Sequence, residues 1–176
     1  MDPLPKSPKT FRECVEADMR RGARLIIKVQ DELDPQFRMA TRDGDYHIAV
    51  TLPPDDYERR RIHRALATFM AWREVLGFSM SAELVEPDSI FCIGIRKDER
   101  CACLSRITRE PRPWTAANFG PVQWLPRGQT HPFAEGLLPE FPRALTPKEV
   151  AACNTWFGKD GKFPAVHVPT GEIRGV

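Results

Sequence analysis

The stretch that decides the fold is "SIFCIGIRKDERCACLSRIT", residues 89 to 108. Two β-branched and apolar runs flank the polar tetrad Lys97 to Arg100, which predicts two strands joined by a tight turn. If that tetrad closes the hairpin, opposed residues sum to 197, so Arg96 faces Cys101 and Gly94 faces Cys103. Strand side chains alternate between faces. Cys92, Cys101 and Cys103 therefore share one side with Ile90, Gly94 and Ile107. Phe91, Ile93, Ile95, Ala102 and Leu104 make the other. A hairpin apolar on both sides belongs in the middle of a sheet, covered by helix on one face and by further chain on the other.

Moving outward, "FSMSAELVE" before the hairpin alternates Phe78, Met80, Ala82 and Leu84 against Ser79, Ser81 and Glu83, which extends the meander over residues 78–109. "DYHIAVTLP" alternates in the same way and predicts a strand near 46–52. Between them, Asp55 and Glu58 cap a helix over 55–77, with Ile62, Leu66, Phe69, Met70 and Leu76 on one face at 100° per residue. Arg73 falls on that apolar face, where an arginine ordinarily snorkels outward. Upstream, Thr10 and Glu13 form a capping box for a helix over 10–33. Its stripe of Phe11, Val15, Met19, Gly22, Ile26, Val29 and Leu33 fits either the chain's own sheet or a homodimer seam between two copies of this helix.

Residues 111–169 hold ten of the 17 prolines, among Trp114, Phe119, Trp124, Phe133 and Phe141. So much aromatic surface is unfavourable in water, so the segment 110–176 is expected to wrap the core. It carries one short helix capped by Thr146, with Pro147 at its first position, and a last strand over 163–168. Residues 1–9, with three prolines and little to bury, are expected to form a flexible leader. Together these features predict one α+β domain over 10–176, with an antiparallel or mixed sheet, two main helices and a proline-rich, aromatic C-terminal wrap.

Composition narrows the function by exclusion. The 176 residues are 41% hydrophobic and 28% charged, ordinary values for a globular chain. No apolar run reaches the roughly 20 residues of a membrane span, and no early apolar segment suits a secretion signal, so a cytoplasmic protein is expected. Five scattered cysteines do not make a disulfide framework. Arginine outnumbers lysine 19 to 7, which a GC-rich bacterial genome explains as readily as a need for forked donors.

No motif specifies a reaction. Cys101 and Cys103, two apart on a flat strand, diverge instead of converging on a metal, and no second cysteine pair or nearby histidine completes a zinc site. His47, His63, His131 and His167 lie in different elements, without a nucleophile-elbow sequence. Phosphate-cradling glycine loops are absent, and "GKDGK" reads as a turn. No metal and no cofactor are expected.

The remaining signal is arginine with aromatics: Arg60 and Arg64 on the second helix, Arg106 and Arg109 after the hairpin, then Trp114 and Trp124. These six are the candidate interaction residues. They suit a non-catalytic adaptor, inhibitor or regulatory protein that binds another protein. A nucleic-acid binder gripping phosphate with the arginines is the alternative, although interleaved acids weaken it. An enzyme with a cysteine, histidine or carboxylate site that forms only in space is the third reading.

Overall fold

The structure, a computed structural model, describes residues 10–29, 32–109, 117–141 and 143–170. The expected leader 1–9 lies outside them, as does Trp114. Among the described residues there are three helices and eight strands, in the order α1 (Phe11–Val29), β1 (Gln36–Thr41), β2 (Gly44–Ala49), α2 (Asp56–Trp72), β3 (Gly77–Leu84), β4 (Ser89–Arg96), β5 (Glu99–Thr108), β6 (Asn118–Phe119), β7 (Gln123–Trp124), α3 (Pro147–Phe157) and β8 (Val166–Pro169). The sheet is antiparallel throughout, ordered β6-β5-β4-β3-β1-β2-β8, with β7 also pairing β5. This is the expected α+β class.

The central hairpin turns at Lys97 and Asp98, so Gly94 faces Cys101 and Cys92 faces Cys103. Opposed positions sum to 195, two fewer than expected. A slip of two keeps every side chain on its face. Hence Ile90, Cys92, Cys103 and Ile107 pack with Val15, Met19, Ala23 and Ile26 of α1, while Phe91, Ile93, Ile95 and Ala102 join the core under α2 and α3.

Helix α1 lies across β3, β4 and β5, and two glycines set how close it comes. A Cβ on Gly94 would stand 2.2 Å from Val15 Cγ2, and one on Gly22 would stand 2.8 Å from Ile90 Cδ1. Val15 and Met19 of the apolar stripe pack on the chain's own sheet, at 0% exposure. The helix is also shorter than expected: it stops at Val29, and Leu33 lies in the connection to β1, its N–H donating to Glu83 at 3.0 Å. The capping box at Thr10 and Glu13 forms in both directions.

Helix α2 starts at its expected cap, Asp55, which accepts from the Glu58 N–H. It ends at Trp72 instead of running to 77. Glu74 turns into the left-handed region at φ 52°, and the Val75 N–H closes the end on the Met70 carbonyl. Leu76 consequently leaves the apolar face and is 54% exposed. Arg73 does not snorkel clear of the protein. Its guanidinium lies 3.7 Å from the Trp72 ring centroid, near Tyr46 and Phe69, and its Nε is buried without a hydrogen-bond partner among the described residues.

The described parts of the tail cover both faces of the sheet. Phe119, Val122 and Trp124 pack beside the α1 core. Ala134 and Leu137 are fully buried on the α2 side, where Phe157 and Phe163 also pack. Phe141, 76% exposed, stays outside the wrap. Helix α3 has the expected Thr146 and Glu149 capping box, and β8 completes the sheet against β2.

Candidate binding cleft

Of the six residues singled out from the sequence, Trp114 lies outside the described residues. Arg60 and Arg64 are exposed on the outer surface of α2. Arg106 is exposed on β5 opposite Ser89, on the α2 side with Leu104 and Ala102. Arg109 lies past the end of β5 and is committed to acids, pairing with Glu83 and donating through Nε to Asp88 at 3.0 Å. Glu83 belongs to the row of Ser79 and Ser81, so Arg109 sits on the α1 side. Trp124 is covered, with the Arg12 guanidinium 4.1 Å from its ring centroid.

What the fold does build is a cavity of about 220 Å³ at one end of the sheet. Antiparallel pairing places the start of β1, the end of β3 and the start of β4 side by side there. The connection Glu32 to Pro35 makes one wall and the tail segment at His131 and Phe133 makes another. Met80, Ala82, Leu84 and Phe91 supply apolar lining, and Val85 stands at the edge, 69% exposed. The wall is tied down by backbone and side chain. The Val50 N–H donates to the Pro35 carbonyl at 2.9 Å, and the Thr51 hydroxyl to the Asp34 carboxylate at 2.8 Å.

His131 stacks on Phe91, with ring centroids 5.5 Å apart, and its Nδ1 accepts the Phe133 N–H at 3.2 Å. With Nδ1 accepting, the neutral ring carries its proton on Nε2. Burial pushes the imidazole below its ordinary value. A histidine poised for acid–base work is normally oriented by a carboxylate or thiol within hydrogen-bond reach. His131 makes no such bond among the described residues, and the Glu83 carboxylate is already held by Arg109 and the Leu33 N–H. His63 donates from Nε2 to the Glu135 carbonyl at 2.7 Å, which fastens the tail to α2.

The α1 side of the sheet carries a second polar feature, which is structural. Buried Asp18 accepts from Arg38 Nε at 2.8 Å, Ser79 Oγ at 2.6 Å and Arg21 at 2.9 Å, and Arg38 also reaches Asp45 at 2.8 Å. Burial by itself lowers Arg38, but Asp18 and Asp45 more than offset it, so the guanidinium is held firmly charged. His47, opposite Arg38 on β2, is lowered by burial and then by Arg21. The hollow beside this network, about 50 Å³, is too small for an organic ligand.

The cysteines behave as packed apolar groups. Burial pushes Cys101 up to about 11 and Cys103 up to about 12, and it raises Cys92 well above the ordinary thiol value. Among the described residues no group of three or more histidine, cysteine or acidic side chains is placed to hold a metal. No helix among them is long and apolar enough to cross a membrane.

The described residues form an antiparallel α+β fold with a small cleft at a sheet end, lined in part by Glu32, Asp34 and Glu83. Compared with known proteins, the chain matches no family model, no curated protein and no solved structure.

Proposed function

We propose that the protein is a binding module for another protein, and that it recognises its partner at the cleft. The observation that carries this reading is the cleft's construction. Its walls come from three strand ends, a connection pinned at Pro35 and Asp34, and a tail segment pinned at His131, so the site is preformed. The exposed Val85 offers apolar contact beside the opening. Binding is favoured over catalysis because the imidazole in the cleft is engaged by backbone and has no orienting carboxylate among the described residues.

The test compares baits in affinity purification from a lysate of the source organism. Ala82→Leu places a larger side chain in the cleft, while Arg60→Glu with Arg64→Glu alters only the outer face of α2. Both baits are first matched to the wild type by unfolding curves. Loss of one captured protein from the Ala82→Leu bait alone supports the reading. Capture that survives Ala82→Leu and fails with the α2 variant overturns it.

A nucleic-acid reading retains one specific observation: Tyr57, Arg60 and Arg64 are exposed at helical spacing on α2, and neither arginine forms an ion pair among the described residues. Two phosphate contacts correspond to a salt slope of about −2 in the logarithm of the binding constant. A flat salt response removes this alternative.

A further inference from the structure

The acids that line the cleft are already compensated within the fold. Glu83 is held by Arg109 and by the Leu33 N–H at 3.0 Å, and the Asp34 carboxylate accepts the Thr51 hydroxyl at 2.8 Å. Glu32 is not without a partner either. A charged group entering from outside sheds its water against walls whose charges are already matched, which is unfavourable for a cation and for an anion alike. An uncharged group meets no such penalty. The rest of the lining favours an apolar one, since Leu33, Met80, Leu84, Phe91 and Phe133 all contribute to it.

Size narrows the occupant further. The volume, about 220 Å³, lies between the roughly 150 Å³ that holds one benzene ring and the roughly 300 Å³ at which pockets begin to hold drug-sized ligands. One large aliphatic or aromatic side chain fits that space. Val85 continues the apolar surface outward at the edge of the opening, so a residue flanking the inserted one also finds contact. That second contact favours a side chain carried on a polypeptide over a free small molecule.

Resting on the cleft as the recognition site, we propose that its occupant is a single uncharged apolar side chain of the partner, of the size of leucine or phenylalanine. It inserts against Phe91 and Phe133.

The full chain is titrated with N-acetyl amino acid amides, which share an uncharged backbone and differ only in the side chain, following backbone amide shifts by NMR. The leucine and phenylalanine amides are expected to move Leu33, Leu84 and Phe133. The lysine and aspartate amides at equal concentration are expected to leave them in place. Affinity is expected to rise about fourfold per added carbon from the alanine amide through aminobutyrate to norvaline. It is expected to fall about tenfold for the leucine amide in Ala82→Leu, where the space is taken, and to stay unchanged in Asp34→Asn. Displacement of the captured protein by saturating leucine amide supports a partner side chain as the occupant, and binding without displacement overturns that assignment. If the lysine or aspartate amide binds as tightly as the leucine amide, the apolar assignment is overturned and the cleft stands. Silence from all the amides also overturns the apolar assignment. If Ala82→Leu then leaves capture intact, the cleft itself is overturned as the recognition site.

Discussion

Replacing Asp18 by alanine tests how α1 is held to the sheet. Asp18 is 5% exposed and gathers Arg38, Arg21 and Ser79 onto one carboxylate. Its removal leaves the Arg38 guanidinium, itself largely buried, with Asp45 as its remaining acid. Deleting one partner of a buried ion pair typically costs about 3–5 kcal/mol, because the other charge is left without compensation. Asp45 persists, so the lower end applies, about 3 kcal/mol. In a chain of this size each kcal/mol lowers the melting temperature by about 2–4 °C, giving a fall of about 6–12 °C. The assay is urea unfolding followed by tryptophan fluorescence, with the slope unchanged, which shows that the loss lies in the native state. A double-mutant cycle of Asp18→Ala with Arg38→Ala isolates the pair, and a coupling of about 2 kcal/mol is expected. A cost below about 1 kcal/mol for Asp18→Ala, or a coupling near zero, refutes the view that this network fastens α1.

Three further outcomes follow from the same packing. Gly94→Ala drives a methyl into Val15 and Phe11, and overpacking of this kind costs about 1–3 kcal/mol in urea unfolding. Alkylation with iodoacetamide at pH 8 leaves Cys92 and Cys103 unmodified in the folded chain and modifies both in denaturant, because burial keeps each as the neutral thiol. Stability also declines as pH falls below 6.5. The folded state holds His47 and His131 below that value, so the unfolded chain binds more protons in this window, and His131→Phe makes the decline shallower.

The central meander was legible because its signal is a parity. Residues 89–108 are apolar on both faces, and the slip from 197 to 195 moved no side chain across the sheet. Helix starts were legible at Thr10, Asp55 and Thr146, where a single side chain meets the free N–H groups. Helix ends were not. Apolar spacing at Leu33 and Leu76 continues past the point where the chain turns away.

Strand β1 was missed because only Phe37 and Met39 mark its buried face, and two residues do not establish a period. The Asp43-Gly44 pair beside it was the available turn signal. Of the candidate residues, Arg60 and Arg64 are exposed on α2, Arg109 pairs with Glu83, and the Arg12 guanidinium lies over Trp124. The cleft had no linear signature. Its lining is assembled from five stretches between Glu32 and Phe133, which meet only through antiparallel pairing.

Hydrogen exchange of the full chain, alone and with its captured partner, tests the central claim most directly. Recognition at the cleft gives new protection concentrated at residues 32–35, 83–85 and 131–133, with the outer face of α2 unchanged. Protection confined to α2 around Arg60 and Arg64, with the cleft segments exchanging as in the free chain, contradicts it.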